Sequence, residues 1–179
     1  MISPGFLLYS CALLVREIKL MPHLQHPVRA ALWAGLGGTL AIFIIQLLAH
    51  SVHTPLLIAP FGASCVVLFL SPDSELARPR NLLGGYIIGT LVGLLLLALL
   101  PGVWWAAAPA VGLTIALMRL SHTVHPPAAA QPLVILLAQP SWHFLLLPTL
   151  PGVALLLLTA WAYHHGVFRL TRSDKAVAD

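Results

Sequence analysis

Ser121-His122-Thr123-Val124-His125-Pro126-Pro127-Ala128-Ala129-Ala130-Gln131-Pro132 lies between two strongly apolar segments. Its three prolines remove three backbone donors and bend the chain, so the groups they free need other partners. Two histidines, two hydroxyls and an amide crowd the same break. In hydrocarbon, irregular backbone persists only where it is buried in protein or lines a wet cavity. The stretch therefore marks the place where an apolar chain meets something polar.

The surroundings are membrane-like. The 179 residues are 59% hydrophobic and 8% charged, with a mean hydropathy of +0.94. No Asp, Glu, Lys or Arg falls between Arg29 and Asp73, between Arg80 and Arg119, or between Arg119 and Arg169. Gaps of that size hold several spans of about 20 residues each. The chain reads as an all-α polytopic membrane protein with one domain at 28–165. Residues 1–27 read as an interfacial segment, because the apolar run 6–15 is too short to span and its charges, Arg16 and Lys19, follow it. Residues 166–179 read as a basic cytoplasmic tail. The net charge of +4 sits at segment ends, which speaks for membrane orientation and against a nucleic-acid surface. Cys11 and Cys65 are isolated and read as small hydrophobes.

Working outward from the prolines, the apolar run 133–138 is short, and the run 56–70 in the first half is broken in the same way by Pro60-Phe61-Gly62-Ala63-Ser64. Full-length helices are expected at 28–49, 82–100, 103–120 and 142–163. Gly85, Gly89 and Gly93 recur every four residues, as do Ala108, Gly112 and Ala116 in the next helix. Such faces let helices approach closely. The two are expected to meet small face to small face, and glycine-rich faces also suit a homo-oligomer. If every Lys and Arg cluster is to lie on one side, the His-Pro-Pro segment must cross. That gives about six segments, two of them short and proline-broken, with both termini cytoplasmic in the cell's inner (plasma) membrane. Each half then reads long, broken, long, a 3+3 inverted repeat. Paired broken segments in corresponding positions point to a transporter's binding site.

Four marks in order, Pro60-Phe61-Gly62-Ala63-Ser64, Pro72-Asp73-Ser74, Arg78-Pro79-Arg80-Asn81 with Gly84-Gly85, and His125-Pro126-Pro127-Ala128, resemble the HPP family of integral membrane proteins. The family usually follows His-Pro-Pro with Ala-Gly-Ala, where this chain has Ala128-Ala129-Ala130. The resemblance implies passage of a small inorganic anion, with nitrite the substrate suggested for some members.

The residues fit that implication. No acidic residue lies in an expected span, and broken segments expose helix N-termini whose free N–H groups attract anions. The expected substrate site is His125, Pro126, Pro127 and Ala128 facing Pro60, Phe61, Gly62, Ala63 and Ser64, with His122 beside it. An imidazole there can donate a hydrogen bond or carry a proton. No cofactor, metal or catalytic set is expected. The competing readings are a metal-cation or other small-solute transporter, for which His122, His125 and Cys65 are the available ligands, and a structural assembly protein.

Overall fold

The computed structural model describes residues 27–176, with side chains over 28–166. The expected interfacial segment and the side chains of the basic tail lie outside the described residues. Among the described residues there are six α-helices and no strand: α1 (Pro27–Ser51), α2 (Pro60–Leu70), α3 (Pro79–Leu99), α4 (Ala107–Leu120), α5 (Gln131–Ala138) and α6 (Leu150–Ala176). Three helical stretches are long and apolar enough to cross a membrane: Val28–Ser51, Pro79–Leu99 and Trp142–Gly166.

The two broken segments are built alike. Residues 55–58 are non-helical, and α2 opens on Pro60, whose preset φ and missing donor suit a first helical position. In the second half, 123–125 are non-helical, a 3₁₀ turn runs Pro126–Ala130, and α5 follows. The 11 residues of α2 rise only about 16 Å. A lead of four residues spans about 13 Å when extended. Together they match a hydrocarbon core about 30 Å thick. The first broken segment thus crosses with non-helical chain for about half of its path and helix for the rest, and the second replaces part of the lead with its 3₁₀ turn.

Contacts between chain ends fix which loops share a side. Arg80 Nη2 donates to the Ser121 carbonyl at 3.1 Å, the His164 ring lies 2.9 Å from the Leu68 carbonyl, and Tyr163 donates to the Trp33 carbonyl at 2.6 Å. The start of α1, the end of α2, the start of α3, the end of α4 and residues 163–164 of α6 therefore share one end of the bundle. Arg29, Asp73, Glu75, Arg78, Arg80 and Arg119 all belong to that end. The opposite end carries no described Asp, Glu, Lys or Arg. It presents His50, His53, Trp104, Trp105, Trp142 and His143 instead. The His-Pro-Pro segment starts at the charged end and finishes at the tryptophan end, so it crosses.

The halves interlock. α1 packs on α2 and α6, and α4 packs on α5 and α3; α2 reaches α6, while α5 reaches α3. Exchanging the halves exchanges these pairings, as an inverted repeat requires. At the closest points, the residue following a proline sits on a glycine of the other half. Phe61, after Pro60, fills the space over Gly152 so fully that a β-carbon there would overlap its ring. Ala128, after Pro127, lies over Gly85 and Gly89: a β-carbon at Gly89 would stand 2.6 Å from the Ala128 carbonyl oxygen. A β-carbon at Gly93 would stand 3.0 Å from Pro132 Cα.

The glycine face of α3 is therefore filled by the His-Pro-Pro segment and not, as the spacing suggested, by the small face of α4. α4 does lie beside α3, yet Gly112 has nothing within 4 Å. The reason is steric. Without β-carbons the glycine row lets backbone as close as the Ala128 carbonyl and Pro132 Cα lie against it. The outer surface is largely apolar, with Leu32, Leu36, Leu40, Phe43 and Leu47 of α1 exposed as lipid contact demands.

Candidate functional site

Where the two broken segments meet α3, three side chains with no solvent exposure form a hydrogen-bonded row. Ser64 Oγ lies 2.9 Å from Tyr86 Oη and 2.8 Å from His125 Nε2, and His125 Nδ1 lies 2.9 Å from the Leu76 carbonyl. A carbonyl only accepts, so Nδ1 carries a proton. With the ring neutral, Nε2 is then an acceptor, Ser64 donates to it, and Tyr86 donates to Ser64. A second proton on Nε2 would make Ser64 accept from the ring and turn its own O–H away, toward Tyr86. The row is a relay in which each hydroxyl passes on the direction set by the imidazole.

Local structure explains each position. Ser64 lies one helical turn into α2, so the proline that starts the helix aims its side chain at α3. His125 is the last extended residue before the 3₁₀ turn, with φ −135° and ψ 102°. Its ring reaches Leu76 because a short 3₁₀ turn, Glu75–Ala77, is capped by Ser74, which accepts from the Leu76 N–H at 3.2 Å. The Leu76 carbonyl is thus presented to the ring. Gly85 leaves room for the His125 β-carbon, which would stand 3.1 Å from a β-carbon on that glycine. The Tyr86 ring lies edge-on to Phe61, with centroids 5.2 Å apart.

The family model "HPP, transmembrane region" matches residues 23–172. The chain belongs to the HPP family. Two relatives from Dictyostelium discoideum, each described only as a transmembrane protein, are 34% identical over 152 residues and 33% identical over 140 residues. These matches cover 76% and 72% of this chain and 49% of each relative, so the chain spans about half the length of the curated relatives it matches. No solved structure matches it.

Of the HPP residues expected at the site, the fold buries Pro60, Phe61, Ser64, His125, Pro127 and Ala128. It gathers Phe61, Ser64 and His125 around Tyr86. Ala129 is half-buried, while Gly62, Ala63 and Pro126 are exposed. Gly62 lines an open groove with Gly35, Gly38, Thr39, Gln46 and Cys65. His122 is exposed at the end of α4 in a left-handed conformation, φ 55°, and takes no part in the row. The expected free N–H groups after each proline are occupied: Phe61 donates to Ile58 at 3.0 Å, Gly62 to Ala59 at 3.2 Å, and Ala128 to His125 at 3.0 Å. Tight turns satisfy these donors internally because lipid offers no water to do so. Side chains, not backbone, therefore carry the polar character of the centre. Among the described residues no three His, Cys, Asp or Glu side chains come together as a metal site would need, and Cys65 faces the outer groove.

Sequence reasoning missed Tyr86 and Thr90, which lie one turn apart and each directly follow a glycine of α3. It also missed Thr149, which follows Pro148 where Leu147 leaves helical geometry (φ −146°, ψ 116°). The signal was present in all three. Each is a polar residue inside an apolar run and beside a glycine or proline.

Proposed function

We propose that this HPP protein carries a small inorganic anion across the membrane along the buried polar row beside α3, with nitrite the species that the family resemblance suggests. The observation that supports this most is the composition of the fully buried polar set: Ser64, Thr90, Thr114, His125, Gln131 and Thr149. It contains hydrogen-bond donors and no carboxylate. Most of it sits where chain breaks meet α3. Burying polar groups costs free energy that an apolar core would avoid, so a centre built this way fits a polar cargo better than a merely structural role. The one-sided distribution of Arg29, Arg78, Arg80 and Arg119 supports a cytoplasmic charged end.

The test is flux. Purified protein in liposomes enclosing a pH-sensitive dye and a nitrite assay should give nitrite uptake well above protein-free liposomes. Tyr86→Phe and Ser64→Ala should each slow it. Uptake equal to that of empty liposomes, from protein that unfolds cooperatively on heating, would reject transport and favour a structural part.

A further inference from the structure

A second polar cluster lies one turn further along α3. Gln131 Nε2 donates to Thr90 Oγ1 at 3.3 Å and to Thr149 Oγ1 at 3.2 Å, and the two threonine oxygens are 3.3 Å apart. All three side chains are completely buried. Gln131 stands four residues after Pro127 as Ser64 stands four after Pro60, so each broken segment contributes the corresponding residue to its own cluster. The two clusters share α3 through Tyr86 and Thr90, about 6 Å apart along its axis. Gly89 lies between them, and its bare backbone lets Gln131 in: a β-carbon there would stand 3.0 Å from Gln131 Cβ.

This second cluster is incomplete where the first is closed. Gln131 Oε1 is buried with no hydrogen-bond partner. An amide oxygen accepts and never donates, and leaving one dry and unmatched is costly. It calls for a guest with a donor hydrogen. An anion has none to give, and its negative oxygens would face that carbonyl dipole. Among the described residues no Lys or Arg is buried to neutralise a desolvated charge, which is expensive to bury unpaired. The undissociated acid answers both demands: its O–H can meet Oε1, and its other oxygen can accept from the amide or a threonine hydroxyl.

We propose that Gln131, Thr90 and Thr149 form a second solute station that takes a small weak oxyacid in its neutral, protonated form, so that the anion crosses the centre of the bundle with its own proton. The proposal rests on the transport reading above and specifies the species bound. The proton comes from water on one side and returns to water on the other. One proton and one anion move together, and no net charge crosses.

The experiment uses the whole protein in liposomes, with the potential clamped by valinomycin and potassium and internal pH followed by dye. Nitrite and formate are the weak-acid probes, and nitrate and chloride are the strong-acid probes. Protein-dependent uptake of nitrite and formate should bring in one proton per anion and ignore the imposed potential, while nitrate and chloride stay out. Uptake that follows the potential, or nitrate carried as well as nitrite, overturns the neutral-acid station and leaves transport standing. The absence of protein-dependent flux for all four probes overturns the transport reading and the station with it. Gln131→Leu should cut nitrite flux at least about tenfold, the effect of losing one buried hydrogen bond to the guest. Its thermal midpoint should change little, because removing an unmatched buried oxygen offsets the loss of the two bonds to the threonines. Thr90→Val keeps the side-chain shape and makes the same test should Gln131→Leu fail to fold. Full nitrite flux in a folded variant of either kind overturns the station.

Discussion

Replacing Gly89 by alanine tests the packing that holds the His-Pro-Pro segment in place. In an isolated helix the change favours folding by about 1 kcal/mol, because alanine has the better helix propensity. In this fold the new β-carbon stands 2.6 Å from the Ala128 carbonyl oxygen and 3.0 Å from Gln131 Cβ, against ordinary contact that begins at 3.4 Å. The oxygen belongs to backbone fixed between two prolines and a 3₁₀ turn, so it cannot swing away like the tip of a long side chain. Overpacking of this kind costs about 1–3 kcal/mol. Because the contact is with backbone, the upper part of that range, about 2–3 kcal/mol, applies, and set against the propensity gain it leaves a net loss of about 1–2 kcal/mol. For a chain of this size that lowers the thermal midpoint by roughly 2–8 °C. The internal control is Gly112→Ala on α4, where nothing lies within 4 Å. Its midpoint should stay level or rise slightly. Both proteins would be purified in one detergent and unfolded side by side, with tryptophan fluorescence as the signal. A Gly89→Ala midpoint at or above that of Gly112→Ala would refute the claim that α3 and the His-Pro-Pro segment are in backbone contact.

Other outcomes follow from the same contacts. His125→Ala removes the partner of both Ser64 and the Leu76 carbonyl and opens a hole beside Gly85, so stability should fall by about 2–5 kcal/mol, whereas Tyr86→Phe should cost only about 0.5–1.5 kcal/mol; equal thermal midpoints for the two would contradict the relay's geometry. Gly152→Ala should be destabilising alone and largely relieved by Phe61→Leu, which shortens the opposing ring; a double-mutant cycle with no coupling would mean that the two residues do not touch. A single cysteine at Ser121, in a background lacking Cys11 and Cys65, should resist a membrane-impermeant thiol reagent in intact cells and react after permeabilisation. Strong labelling from outside would invert the assigned orientation.

The sequence shows much of the architecture because hydrocarbon imposes few options. Charge-free gaps located the spans, and the requirement that Arg169, Arg172 and Lys175 share a side with Arg78, Arg80 and Arg119 made the His-Pro-Pro segment cross; the His164 contact with the Leu68 carbonyl puts that part of α6 at the end where Arg80 meets Ser121. The matched breaks at Pro60 and Pro126 revealed the repeat. Partner choice was less legible. A glycine row states that something approaches closely, and it does not state whether the visitor is an α-helix or bent backbone; only the fold puts Ala128 on Gly89. The candidate site was half visible. Ser64 and His125 were expected to meet, and do. Tyr86, Thr90 and Thr149 escaped because a single hydroxyl inside a run of leucines barely disturbs hydropathy. Their significance comes from neighbours supplied by distant segments.

The seating of Phe61 on Gly152 also bears on how the protein is made. Ribosomal synthesis delivers α2 long before α6, so the earlier broken segment leaves the translocon with no seat for its aromatic ring. Extended chain at 55–58 cannot stay bare in lipid for want of hydrogen-bond partners. The nascent first half must therefore wait, sheltered by the insertion machinery or parked at the interface, until roughly ninety further residues have been added. A chain that stops after α4 has made most of its length, yet its α2 has α1 to pack on but no seat for Phe61 on Gly152. Such a fragment is a natural substrate for membrane quality control, whereas the two halves supplied as separate polypeptides could each complete the other.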